Sequence, residues 1–174
     1  MATGPDLSAD ERLTVMGLLA ETFTGLAGRS ADRLAEHGLS VVEFEVLLRL
    51  SRSPERRLRM SDLSAQTSLT TSGTTRVVDR LSAAGLVCRV ACPDDRRSTY
   101  AVLTDPGQDR LAAALPSHLD LVQRWLVGPL APDQLEALVA ALRVVRDAVR
   151  PGATAGAGGA GAGARGRRSA ATAT

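Results

Sequence analysis

The 174-residue chain contains no lysine, all 21 of its basic residues being arginine. In an Ala- and Gly-rich chain this arises from genomic coding bias as readily as from selection, and it carries no functional meaning alone. Cysteine is nearly absent. Cys88 and Cys92 are too few for a disulfide scaffold and lack the Cys-x-x-Cys spacing of common zinc and redox motifs. The only histidines, His37 and His118, lie far apart and in no ligand pattern such as His-x-x-x-His, so no metal site is expected. Every long apolar stretch is interrupted by charge, and the opening Met-Ala-Thr-Gly-Pro-Asp has neither a basic n-region nor an apolar h-region. A soluble, cytoplasmic protein without a membrane partner is expected. A Gly-rich phosphate loop, a nucleophile elbow and clustered His with carboxylates are missing too, which argues against an enzyme and against a cofactor.

What the chain does have is charge, unevenly placed. The net charge is −3 over 1–54, +3 over 55–104, −2 over 105–149 and +4 over 150–174. An acidic frame around a basic centre suits a phosphate backbone.

Apolar spacing supplies the architecture. Between Ser8 and Glu36, residues Leu13, Met16, Leu19, Phe23, Leu26, Ser30 and Leu34 recur at three- and four-residue steps, one stripe on a helix about 40 Å long. Ser8 with Glu11 reads as a capping box and Gly38 as the stop. A domain this small cannot cover so long a stripe by itself. Ser40 with Glu43 is a second capping box, opening a short helix rich in Val and Leu that should be buried. Leu58-Arg59-Met60 reads as a short strand, Ser61 opens a helix through about Thr67, and Thr70 or Thr71 caps the next helix. That helix turns Val77, Val78 and Leu81 inward and ends at Gly85. Two short helices across a tight turn make a helix-turn-helix.

Leu86 to Cys92 and Ser98 to Thr104 then alternate around Pro93-Asp94-Asp95-Arg96-Arg97, a hairpin signal and hence a wing. Four residues apart on one strand, Cys88 and Cys92 would share a face about 13 Å apart, beyond disulfide reach. Leu111, Leu115, Leu119, Val122 and Leu126 mark a further amphipathic helix. Beyond the break between Pro129 and Pro132, Leu135, Leu138, Val139, Leu142, Val145 and Val149 mark the last. The Gly, Ala, Ser, Thr and Arg beyond Pro151 can build no core, so a disordered tail is expected over 150–174 and a flexible N-terminus over 1–7.

The fold class expected is therefore mainly α with a small β-wing. A winged helix-turn-helix over 40–104 is flanked by helices at 8–37 and 105–149, whose uncovered stripes ask for a partner. An arginine-bearing helix fits the major groove of double-stranded DNA, and a hairpin arginine reaches the narrower minor groove beside it. Arg76 can make a bidentate contact to guanine, and Arg96 should touch phosphate. Gly73 costs about 1 kcal/mol inside a helix relative to alanine. Close backbone approach to DNA or tolerance at an early turn would explain it.

Thr75-Arg76-Val77-Val78-Asp79-Arg80-Leu81, Gly85-Leu86-Val87, Asp95-x-Arg97 and Leu103-Thr104-x-x-Gly107, in this order, resemble the MarR family of bacterial transcription regulators over roughly residues 10–149. The resemblance implies a homodimer with interleaved terminal helices, whose winged lobes read a pseudo-palindromic operator, usually as a repressor. It implies DNA contacts from Ser72, Gly73, Thr75 and Arg76, minor-groove entry by Arg97, and support of the wing by the Asp95 carboxylate. Many relatives release DNA when a small phenolic or anionic effector enters the cleft between the dimer helices and the lobe. Arg12, Phe23, Arg33, His37 and Phe44 are the candidates to border it here. Peroxide-sensing relatives carry a cysteine near the end of the first helix, where this chain has none. A thiol response through Cys88 and Cys92 remains an alternative, as does a winged helix that binds DNA without sequence preference or binds another protein.

Overall fold

The computed structural model describes residues 7–67, 69–92 and 95–153, with backbone alone over 95–97. The expected N-terminal segment (Leu7 excepted), the hairpin turn at Pro93-Asp94 and the tail beyond 153 lie outside the described residues. In chain order come α1 (Glu11–Ala35), α2 (Val41–Ser51), β1 (Arg57–Arg59), α3 (Met60–Gln66), α4 (Thr71–Ala83), β2 (Val87–Cys92), β3 (Asp95–Leu103), α5 (Asp105–Val122) and α6 (Pro132–Val149).

Helix α1 starts later than its sequence suggests. Asp10, rather than Ser8, is the cap: its carboxylate accepts the Arg12 amide at 2.9 Å and the Arg12 Nε at 2.8 Å, while Ser8 lies in a 3-10 turn over Leu7–Ala9. The Arg12 guanidinium holds the Asp10 carboxyl below the usual carboxylate range. One carboxylate that serves both the helix end and a cation outcompetes a hydroxyl. At the other end Gly38 takes φ +68°, and Arg110 of α5 donates to the His37 carbonyl at 3.0 Å.

Helix α2 has the expected capping box, with Glu43 accepting the Ser40 amide at 2.9 Å. It buries Phe44, Val46, Leu47 and Leu50. Helix α3 opens at Met60 after Arg59, with no side-chain cap, so Ser61 is not its start. Around α2 the ends of α1 and α5, the helix pair α3 and α4, and the inner face of the sheet close one core that includes Leu34, Leu63, Val78, Leu81, Leu103 and Leu111.

The antiparallel sheet has the order β1-β3-β2, with Leu58 and Arg89 both opposite Ala101. Asp95, Arg96 and Arg97 fall in strand β3, not in the turn as expected. Ala91 pairs with Thr99 but Cys92 pairs with Asp95, a bulge that breaks the alternation. Cys92 is consequently buried while Cys88 is exposed, so the shared face expected of them is not found.

Helix α5 continues through a π-turn over Gln123–Val127. Only Ser30 and Leu34 are buried on α1, and no residue of α6 is. Phe23 is 71% exposed, and Leu13, Met16, Leu19, Leu142 and Val145 also face outward. No helix among the described residues is long and apolar enough to cross a membrane.

Candidate nucleic-acid interface

The interface is built on α4. Thr70 caps it, its Oγ1 accepting the Gly73 amide at 3.1 Å and lying 3.2 Å from the Ser72 hydroxyl. Thr74, Val77, Val78 and Leu81 are buried and anchor the helix on the core. The opposite face carries Ser72, Thr75 and Arg76 outward. Thr75 Oγ1 donates to the Thr71 carbonyl at 3.1 Å, and no described residue forms an ion pair with Arg76. Gly73 has a local reason as well: a Cβ there would press on Thr70 Oγ1 at 3.2 Å and so disturb the cap.

Strand β2 is fastened to this helix by a residue that sequence reasoning passed over. Arg89 donates to Asp79 Oδ1 at 2.7 Å and reaches the Thr75 carbonyl at 3.4 Å. By alternation it shares a strand face with Val87, though it is itself exposed, and that alternation was the available signal. The wing is thereby tied to α4. Asp95, Arg96 and Arg97 have their backbone in β3, but their side chains lie outside the described residues.

The Leu103-Thr104-x-x-Gly107 motif is the joint behind the wing. Thr104 Oγ1 accepts the Gly107 amide at 3.1 Å to cap α5 and donates to the Gly85 carbonyl at 2.7 Å. One hydroxyl thus joins the end of α4 to the start of α5.

The five residues expected to border an effector cleft do not converge within one chain. A cleft of about 600 Å³ opens between the ends of α1 and α5, with Arg33 on its wall. His37 lies beside it, Nε2 being 3.1 Å from Ser117 Oγ. Phe44 is core, its ring centroid 4.5 Å from that of His118. Arg12 and Phe23 sit about 30 Å and 15 Å back along α1 from Arg33, at 1.5 Å per residue. The cleft instead recruits Arg29 and Arg124, whose guanidiniums lie 4.4 and 5.2 Å from the Trp125 ring centroid. The π-turn presents this, the chain's single tryptophan, beside α1.

Burial lowers the pKa of His118, whose Nδ1 lies 3.3 Å from Ser30 Oγ. The fold therefore favours the neutral ring, and the unfolded chain takes up its proton first as pH falls. Stability from this residue is complete above the unfolded value near 6.5 and is lost as pH drops through the folded value. The melting temperature should decline on acidification from pH 7.5 to 5.5. In His118→Gln, followed by the same thermal melts, the decline should be shallower; an equal decline would clear His118 of the effect.

Two helices in helix-turn-helix order, a wing fastened to the second, and an outward row of hydroxyls and arginine define a winged-helix DNA-binding transcription regulator. Residues 37–98 match the family model described as MarR family. The uncharacterized HTH-type transcriptional regulator YkoM of Bacillus subtilis is 30% identical over 135 residues, covering 77% of this chain and 85% of that protein. AbsC, a MarR family regulator from Streptomyces coelicolor, superposes with a TM-score of 0.77 at 31% identity, over 82% of this chain and 97% of AbsC. Sco3205, a MarR family regulator of the same organism solved in complex with DNA, gives a TM-score of 0.77 at 32% identity, over 87% of this chain and 94% of its own. The chain belongs to the MarR family of transcription regulators.

Proposed function

We propose that this regulator is a homodimeric repressor that reads a pseudo-palindromic operator and releases it when a small molecule binds. The observation that carries the reading is the outward face of α4, where Ser72, Thr75 and Arg76 stand on a helix whose other face is core. Hydroxyls and amides at a helix start take phosphate, and Arg76 takes the N7 and O6 of a guanine. Arg97 enters the minor groove, with Asp95 supporting the wing, and Arg96 meets phosphate. The likeness to Sco3205, solved on DNA, supports the same mode of docking. Two-fold symmetry sets the recognition helices one turn of DNA apart. For the effector, the cleft between the ends of α1 and α5, where Arg29, Arg33, Arg124 and Trp125 stand among Asp32, Glu36 and Asp120, has a size suited to a small ligand.

Selection of bound duplexes from a random pool tests the reading. The expected product is an inverted repeat, bound at least about a thousandfold tighter than a scrambled duplex. Arg76→Ala should cost about 1–3 kcal/mol on that duplex and relax the preference at one base position per half-site. Arg97→Ala should lower the salt slope by about one unit per engaged wing. A pool that yields no consensus would overturn sequence-specific regulation, and an unchanged slope in Arg97→Ala would overturn its assignment.

A further inference from the structure

Helix α6 runs 18 residues from Pro132 to Val149, about 27 Å, and buries none of them, yet its far end is held. Arg150, its C-cap, donates through Nη2 to the carbonyl of Thr67, 83 residues back in the chain. Pro151 and Gly152 then turn, the Ala153 amide meeting the Arg150 carbonyl at 3.0 Å. A Cβ built on Gly152 would stand 3.6 Å from the Cβ and the carbonyl oxygen of Ala65, so the turn also touches α3. Thr67 is a firm point to hold. It is fully buried, and its amide and its hydroxyl both donate to the Leu63 carbonyl, at 3.0 and 2.9 Å. As the C-cap of α3 it leaves an orphan carbonyl at the negative end of a helix dipole, which a guanidinium suits on both counts. Three residues on, Thr70 caps α4. A pull on a loose loop would be absorbed there, whereas a pull on Thr67 passes to α3 and α4 together.

Arg150 thereby closes a ring. Along the backbone the end of α6 reaches the helix-turn-helix only by way of α6, α5 and the wing, but through Arg150 it reaches Thr67 directly. Arg150 also follows directly on Val149, which is 70% exposed and continues the outward apolar face of Leu142 and Val145. We propose that Arg150 is a positioning residue for operator recognition, a role that rests on the dimeric reading of the operator: by holding Thr67 it sets the angle between each winged lobe and the dimer helices, and so the half-site spacing that the dimer accepts. In a two-fold dimer both recognition helices must meet grooves one turn of DNA apart, and one base pair more or less rotates a half-site by about 35°. A lobe free to swing tolerates that change. A lobe tied to a helix that the partner covers does not.

Anisotropy titrations of the full chain, Arg150→Ala and Arg150→Lys test this on the selected inverted repeat, on the same repeat with one base pair added or removed between half-sites, and on a single half-site. The unsubstituted chain should favour the selected spacing, and in Arg150→Ala that preference should narrow at least about fivefold, the lower end of ordinary coupling between sites. Arg150→Lys should restore most of it, because an ammonium donates to the same carbonyl. Affinity for the single half-site should stay within about twofold throughout, since Ser72, Thr75 and Arg76 are untouched and distant substitutions act independently. A loosened fold would instead weaken every duplex alike. No spacing preference in the unsubstituted chain, or an equal one in Arg150→Ala, overturns the role of Arg150, as does a narrowed preference in a variant that sediments as a monomer. A selection without an inverted repeat rejects the operator reading itself, whereas an inverted repeat whose spacing preference survives in Arg150→Ala rejects Arg150 alone.

Discussion

Gly107→Ala should destabilise the protein by at least about 3 kcal/mol, in the range reserved for overpacking with no room to relax. An added Cβ would overlap the Leu86 carbonyl oxygen and lie 2.8 Å from Leu103 Cδ1. Neither neighbour can yield cheaply. The Leu86 carbonyl already accepts the Thr104 amide at 3.2 Å, and Leu103 is core at 2% exposure. Moving α5 away would also pull Thr104 from the Gly85 carbonyl and so loosen the join between α4, the wing and α5. A fall in melting temperature of roughly 10 °C is expected for a domain of this size. Thermal melts check it, and a melting point within about 2 °C of the unsubstituted protein would show that the start of α5 is not packed as tightly on Leu86 as described.

The second large effect concerns the uncovered helices. Leu19→Asp together with Val145→Asp places a carboxylate on α1 and another on α6, at positions 49% and 52% exposed in the single chain. The fold of each chain should survive, because neither side chain belongs to its core. A proposed dimer covers both positions, and each substitution then occurs twice across the two-fold axis. Burying an apolar side chain of this size contributes about 1.5–3 kcal/mol, which the carboxylates would remove and replace with a desolvation cost. Sedimentation should report monomers, with the helical content by circular dichroism retained. Affinity for the inverted repeat should drop by about 10²–10⁴, the advantage that linking two half-site readers supplies. A variant that still sediments as a dimer would place the interface elsewhere.

Much of this architecture is legible in one dimension because its signals are local. The Ser40 and Glu43 box, the Thr70 cap and the Gly38 and Gly85 stops each need only a few neighbouring residues, and each appears where spacing put it. Ser8 failed because two potential caps stood two residues apart, and an Arg12 side chain folding back onto Asp10 decided between them. The wing failed in its detail for a different reason. Alternation assumes an unbroken pleat, whereas one bulge at Ala91 and Cys92 turned Cys92 inward toward Tyr100 Oη and Arg59, 3.8 Å from each.

The candidate site divides along the same line. The row Ser72, Thr75 and Arg76 is visible in sequence as the polar side of an amphipathic helix, because helical geometry alone fixes which residues share a face. Arg89 on Asp79, Arg110 on the His37 carbonyl, Arg150 on the Thr67 carbonyl and the stack of Arg29 and Arg124 on Trp125 were not visible. They join residues distant in the chain, apart from the adjacent Arg124 and Trp125, and an arginine reads the same in sequence whether it faces water or another element. Periodicity and capping chemistry thus determined the helices, the wing and the polar outward face of α4. Tertiary structure decided which arginines are tied up in holding the elements together, since pairing depends on distances that only the packed core sets.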